Sequence, residues 1–252
     1  MESKKIGEGN QPLICTPLVG KEQEDILREL ENVLQKQPDL IEWRADFFAE
    51  IANTDQVLSI AQKIKGRAGD TPIIFTIRSV REGGQPISLT DREVLNLIKA
   101  VCRNTGIEYV DYELSYPEES FKELRHISAE SNTKIIASYH NFNFTPKMEI
   151  LINKIKDAQN LKADVAKIAV MAESLQDVLN VLDVTLEAKN TLRIPLISMA
   201  MGEYGSITRM IGGVFGSAVT FAVGESSSAP GQIPIDELKS VLSIIQKSVN
   251  QK

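Results

Sequence analysis

Cysteine is scarce in this chain, with Cys15 and Cys102 the only two in 252 residues. Two cysteines make no disulfide framework and, by themselves, no structural zinc site. Histidine is equally rare: only His126 and His140 are present, so imidazole chemistry has two candidates. No apolar run is long enough to span a bilayer, and no charged, apolar and small-residue series of the signal-peptide kind opens the sequence. Basic charge is not in surplus either. Lys+Arg 28 against Asp+Glu 34 gives a formal net charge of -6, which argues against nucleic acid or an anionic membrane as main partner. Internal repeats and composition-marked linkers are also missing. The expectation is a cytoplasmic protein kept reduced, with one domain over residues 1–252.

What is present is a 42% hydrophobic content, enough for one large core, laid out in a regular alternation. Residues 1–12 are polar and glycine-bearing and predict an arm or a small hairpin. Apolar runs bounded by turn residues predict strands at 13–20, 40–46, 72–78, 107–114, 134–140, 163–171, 194–201 and 219–223. Segments of helical period follow each in turn: 22–35, 54–65, 90–103, 117–131, 146–159, 174–189, a short helix near Ile207, and 235–249. Thr54 is placed to cap the second helix, and Thr90-Asp91-Arg92-Glu93 has the form of a capping box for the third. Eight strand-then-helix units at this length specify an α/β fold of the (β/α)8 TIM-barrel kind better than an open doubly wound sheet. In such a barrel the chemistry sits at the carboxyl ends of the strands, so polar residues there become candidates.

Lys167 stands in the almost wholly apolar sixth strand. Lysine is rarely buried unless paired or put to use, and a desolvated amine can attack a carbonyl to form a Schiff base. The plainer alternative is a stem packed in the strand with its head in solvent. On the second strand Glu42, Arg44 and Asp46 fall at period 2 on one inward face; a structural ion network competes with substrate binding there, most seriously for Asp46. The third strand ends in Arg78, followed by Arg81, Glu82, Gly83 and Gly84. Arginine forks suit carboxylate or hydroxyl oxygens, while Glu82 is placed to orient an imidazole. Asp111 and Glu113 share a face of the fourth strand. A glycosidase pair, a metal site and a hydrogen-bond network are all open, and the network is favoured because no histidine neighbours them. His140 ends the fifth strand at the reactive rim, whereas His126 reads as a surface residue. Met199 and Met201 suggest an apolar wall. Ser206 and Arg209 open the short helix, where an anion would be welcome, and the small, polar segment 225–232 is either a loop that closes over a ligand or a plain connector.

The stretches Glu42-Trp43-Arg44-Ala45-Asp46, Thr76-Ile77-Arg78 with Glu82-Gly83-Gly84, Ser138-Tyr139-His140-Asn141-Phe142, Ala166-Lys167, Met199-Ala200-Met201-Gly202 with Arg209, and Ser228-Ala229-Pro230-Gly231-Gln232 together resemble type I 3-dehydroquinate dehydratase, the Schiff-base class of the shikimate pathway. The resemblance covers nearly the whole chain. It implies conversion of 3-dehydroquinate to 3-dehydroshikimate and water, in aromatic amino acid biosynthesis, through an imine on Lys167. His140 would move the protons and Glu82 would hold His140. It further implies hydroxyl contacts from Glu42, Arg44 and Arg78, and a carboxylate contact from Arg209 helped by Ser228 and Gln232. Phe142, Met199, Met201 and Phe221 would be apolar walls and Ala229 a close loop contact. Family likeness also implies a homodimer and no metal or organic cofactor. Arg44, Arg78 and Arg209 are expected to disfavour a protonated lysine. Where some members carry serine this chain has Pro17, so no contact is assigned there. The alternatives are another Schiff-base barrel lyase, of aldolase or transaldolase type, and a non-catalytic binding barrel.

Overall fold

A computed structural model describes residues 4–9 and 11–249. Eight of the strands are short and largely buried on both faces, as befits parallel strands covered by helices. In chain order they are β1 (Leu13–Leu18), β2 (Leu40–Arg44), β3 (Ile73–Thr76), β4 (Tyr109–Glu113), β5 (Lys134–Asn141), β6 (Val165–Met171), β7 (Leu196–Met201), β8 (Val219–Val223) and a two-residue β9 (Ile233–Pro234). The helices are α1 (Gln23–Gln35), α2 (Thr54–Ala68), α3 (Asp91–Asn104), α4 (Glu118–Glu130), α5 (Met148–Asn160), α6 (Leu175–Thr191), α7 (Gly202–Phe215) and α8 (Ile235–Val249). The sheet runs β7-β6-β5-β4-β3-β2-β1-β8-β9, all pairs parallel. Between β7 and β8 there is no full ladder. One parallel bridge, Leu196 to Ser217, and the Ala218 N–H donating to the Leu196 carbonyl at 2.8 Å bring the two ends together into a TIM barrel.

Period-2 alternation divides the strand residues between two cores. Trp43, Phe75, Val110, Tyr112, Ala137 and Ile168 point outwards into the layer beneath the helices. Leu40, Ile74, Tyr109, Ile136, Val165, Ile197 and Val219 point inwards and fill the lower barrel. Along the same inward faces, two residues further on, the side chains become polar: Glu42, Thr76, Asp111, Ser138 and Lys167 are all buried. The barrel is therefore packed hydrocarbon at its amino end and a charged layer at its carboxyl end.

Several local features differ from expectation. Asn53, not Thr54, caps α2, its side chain accepting from the Gln56 N–H at 3.3 Å; both residue types cap well, and the helix simply begins one residue earlier. Asp46 lies in a 3-10 turn, Ala45–Phe47, beyond the end of β2. The expected short helix near Ile207 is the 14-residue α7. Its glycines lower helix propensity but are demanded by packing, since a Cβ at Gly205 would sit 2.4 Å from the Ala200 backbone and one at Gly213 would sit 2.5 Å from Pro12. β9 was not foreseen. The Thr90–Glu93 capping box forms as predicted, and Ser174 and Asp177 make a second at the start of α6. Of the amino-terminal segment, residues 1–3 and 10 lie outside the described residues. Among the described ones no strand precedes Leu13, and the arm is pinned by buried Ile6, whose N–H donates to the Tyr109 hydroxyl at 3.1 Å. Cys15 and Cys102 are buried free thiols.

Candidate active site

The charged layer opens into a cavity of about 40 Å³ at the carboxyl ends of the strands. Lys167, His140, Glu42, Arg44, Arg78, Arg209, Phe142, Met199, Met201, Phe221, Ser228, Ala229 and Gln232 all line it, together with Ala169. Of the predicted site residues only Glu82 stands behind the wall, against His140. A larger cleft of about 620 Å³ lies at the other end of the barrel, between the amino-terminal arm, α7 and α8. It holds none of the predicted site residues.

β6 carries Lys167 inwards beside Ser138 of β5. Its Nζ lies 3.1 Å from Asp111 Oδ2 and 3.3 Å from Glu42 Oε1, and 4.8 Å from the Phe221 ring centre. Two carboxylates therefore flank the amine. The guanidiniums of Arg44 and Arg78, which share the cavity, are each committed to acids of their own. Arg44 makes two bonds of 2.8 Å to Asp46. Asp46 also accepts from the backbone N–H groups of Arg78 and Gln85, which settles it as a structural clamp. Arg78 reaches Asp111 at 2.9 Å, Glu113 at 3.1 Å, the Ser138 hydroxyl at 3.0 Å and Glu82 at 3.6 Å. Burial opposes its charge, but these three acids outweigh burial and hold the guanidinium above its usual range. Glu113 additionally accepts from the Ser79 N–H at 2.7 Å and the Ser79 hydroxyl at 2.6 Å. Asp111 and Glu113 thus belong to a network, and among the described residues no group of three or more His, Cys, Asp or Glu side chains is placed to hold a metal ion.

His140 ends β5 with its Nδ1 2.8 Å from Glu82 Oε2, and its backbone N–H donates to the same oxygen at 2.9 Å. Glu82 is delivered by a 3-10 turn, Val80–Glu82, that Gly83 terminates at φ 83°. A Cβ on Gly83 would lie 2.4 Å from the Phe142 ring, so glycine there allows the turn and ring to meet. Burial, reinforced by Arg78 and Lys167, pushes the imidazole well below its usual range. Burial also pushes the Glu82 carboxyl up, to about 8, with Arg78 opposing and Glu113 and Asp111 adding to the shift. The pair can hold a proton without carrying net charge and give it up to become a base.

Across the cavity, α7 presents Arg209. Among the described residues its Nε is buried without a partner, and its remaining nitrogens reach only the Met199 sulfur at 3.3 Å and the Pro230 carbonyl at 3.2 Å. Burial alone pulls it down to about 10. A buried cation without a counter-charge is costly unless an anion arrives to meet it. Ser228 and Gln232 cross the top, the Gln232 amide donating to the Ser228 hydroxyl at 3.2 Å. Gly231 at φ 77° lets that loop settle on α7, where a Cβ would fall 2.4 Å from the Gly202 carbonyl. Ser206 turns aside and donates to the Glu203 carbonyl.

Sequence patterning missed the contact between Asp111 and Lys167, and the part of Ser138 beneath it. The two aspartate-bearing and lysine-bearing strands are separated by β5, and only the barrel's register places these side chains at one height.

A family model described as type I 3-dehydroquinase matches residues 14–249. The 3-dehydroquinate dehydratase of Geobacillus kaustophilus is 52% identical over 238 residues, covering 94% of this chain and 92% of that protein. The 3-dehydroquinate dehydratase of Aromatoleum aromaticum is 45% identical over 249 residues, covering 99% of this chain and 96% of that protein. A crystal structure of the Geobacillus kaustophilus protein superposes with a TM-score of 0.94 at 51% identity, covering 97% of this chain and 94% of the other. A type I 3-dehydroquinate dehydratase of Clostridium difficile, crystallised with covalently modified comenic acid, gives 0.91 at 39% identity over 96% and 95% of the two chains. This chain belongs to the type I 3-dehydroquinase family.

Proposed function

We propose that the cavity dehydrates 3-dehydroquinate to 3-dehydroshikimate through an imine on Lys167, with His140 moving the protons and Glu82 setting their affinity. The chain is a hydro-lyase of the shikimate pathway. The observation that carries the residue roles is the opposition, across one cavity, of a buried lysine and an unpartnered buried arginine. The arginine fits the substrate carboxylate and the lysine its ketone.

Condensation joins Nζ to the ketone carbon and releases the carbonyl oxygen as water. In the one-proton form of the His140–Glu82 pair, the cavity-side nitrogen takes a proton from the carbon beside the iminium, giving an enamine. The enamine's electrons return as the β-hydroxyl departs, and the pair gives its proton to that oxygen, releasing a second water. Hydrolysis of the remaining iminium consumes one water and frees the amine, for a net loss of one water. A positioned acid–base group contributes about 10²–10⁴-fold; the rest comes from the iminium as electron sink and the fixed charges around it. Glu42, Arg44 and Arg78 face the substrate's hydroxyls, with Ser228 and Gln232 closing behind its carboxylate and Phe142, Met199, Met201, Phe221 and Ala229 shaping the apolar walls. No metal or organic cofactor enters this scheme.

The reading extends to a single catalytic domain working in the cytoplasm as a homodimer. Its support is that no described helix is long and apolar enough to cross a membrane, and that α6 and α7 leave Leu175, Leu179, Leu186, Tyr204, Ile207 and Val214 exposed side by side. The test of the function is the absorbance of the conjugated enone formed when the purified chain meets 3-dehydroquinate. Turnover by the wild type and its loss in Lys167→Ala are expected; a wild-type chain that forms no product would overturn the reading.

A further inference from the structure

Lys167 has a carboxylate standing behind it that the scheme above leaves unused. Asp111 does not line the cavity, so it is not placed to touch substrate, yet its Oδ2 is 3.1 Å from Nζ. Its other oxygen is fixed from two sides, by Arg78 at 2.9 Å and by the Ser138 hydroxyl at 2.6 Å. Glu42, the second acid on Nζ, differs in each respect. It lies slightly further away, shares the same Oε1 with the Thr76 hydroxyl at 3.0 Å, and opens onto the cavity where substrate hydroxyls would compete for it.

Charge conservation says what such a group is for. An ammonium and a ketone give an iminium and water, so the positive charge stays on the same nitrogen from resting enzyme to covalent intermediate. A fixed anion beside that nitrogen suits both states and need not move. An iminium that lost its proton would be a poor electron sink, and burial favours that loss. We infer that Asp111 is the dedicated counter-ion of the Lys167 iminium, a positioning residue that keeps the imine protonated while carbon chemistry proceeds. The assignment rests on the Schiff-base reading and specifies how the site sustains it.

Around this nitrogen stand Asp111 from β4, Glu42 from β2 and the Phe221 ring from β8, with the buried Cys15 thiol of β1 near. His140 of β5 shares the cavity, as do Arg44, Arg78 and Arg209, the arginines opposing a positive charge there. Asp111 faces Lys167, Arg78, His140 and Ser138, with Glu82 near. Arg78 therefore links two matched pairs, Asp111 behind Lys167 and Glu82 behind His140.

The experiment compares the pH dependence of kcat and KM in wild type, Asp111→Asn, Asp111→Glu and Ser138→Ala. In Asp111→Asn the alkaline limb of kcat should move down by about 1–3 pH units, the shift an adjacent opposite charge confers, with KM within about threefold of wild type. Asp111→Glu should return the limb towards its wild-type place, and Ser138→Ala should move it in the same downward direction by less. Trapping with cyanoborohydride, which reduces the protonated imine, should fall in Asp111→Asn at alkaline pH in step with kcat. A merely structural role would lower activity evenly across pH and leave the limb in place, and that result would overturn the inference. So would a rise in KM at unchanged kcat, which would make Asp111 a substrate contact. Should Asp111→Asn fail to fold, an unmoved limb in Ser138→Ala overturns it. Failure of the wild type itself to form a Lys167 adduct would instead strike at the Schiff-base reading.

Discussion

Glu82 works on His140 at the scale of one hydrogen bond. With its carboxyl pushed up to about 8, the pair keeps its second proton through neutrality and becomes a base as that proton leaves. The acid limb of kcat/KM should therefore fall near pH 8, above the usual histidine range of about 6.5. In Glu82→Gln the titrating carboxyl is gone, so the limb should move to lower pH while kcat drops by about 10²–10⁴-fold. A limb that stays in place would show that another group titrates. Arg209 makes a second prediction. It is 2% exposed with an unpartnered Nε, so Arg209→Met should remove a buried uncompensated charge and raise the urea midpoint, by at least about 1 kcal/mol in stability. The same variant should raise KM by about 30-fold or more, since a desolvated charge pair with substrate is worth about 2–5 kcal/mol. Loss of both stability and activity would mean that Arg209 serves the fold.

Individual elements divide into those whose sequence states their limits and those whose limits are set by neighbours. Both capping boxes, Thr90–Glu93 and Ser174–Asp177, sit at helix starts, and the former was legible because its four residues carry the whole mechanism. Thr90→Ala should cost about 1 kcal/mol and leave kcat unchanged, measured by denaturant titration beside an assay. α7 was read only as a short helix near Ile207; its glycines lower helix propensity, and nothing local reveals that Ala200 and Pro12 need them. Gly205→Ala should consequently cost about 1–3 kcal/mol through overpacking and lower activity too, as it displaces the helix that carries Arg209. Lys167 and His140 could be nominated because strands and their ends are visible in the pattern, and Arg209 because a helix follows the seventh strand. Their distances could not, because the register that sets Asp111 beside Lys167 is a property of three strands at once.

For the molecule as a whole, strand–helix alternation was enough to name the barrel, since eight strand-then-helix units fit in a chain of this length. How the ring closes was not visible: β7 meets β8 through the Leu196–Ser217 bridge, and no ladder-length pattern marks it. The exposed apolar rows on α6 and α7 are likewise a whole-molecule feature, formed only when the two helices lie together. If they join two copies, Leu179→Glu with Ile207→Glu should yield a monomer by sedimentation, from a wild type that sediments as a dimer. A wild-type monomer would remove the dimer from the account.

Everything rests on the nitrogen of Lys167 becoming bonded to substrate. Incubation with 3-dehydroquinate, reduction with borohydride and peptide mapping should place the added mass on Lys167 alone, with none in Lys167→Ala. No adduct, or an adduct on another lysine, would contradict the mechanism.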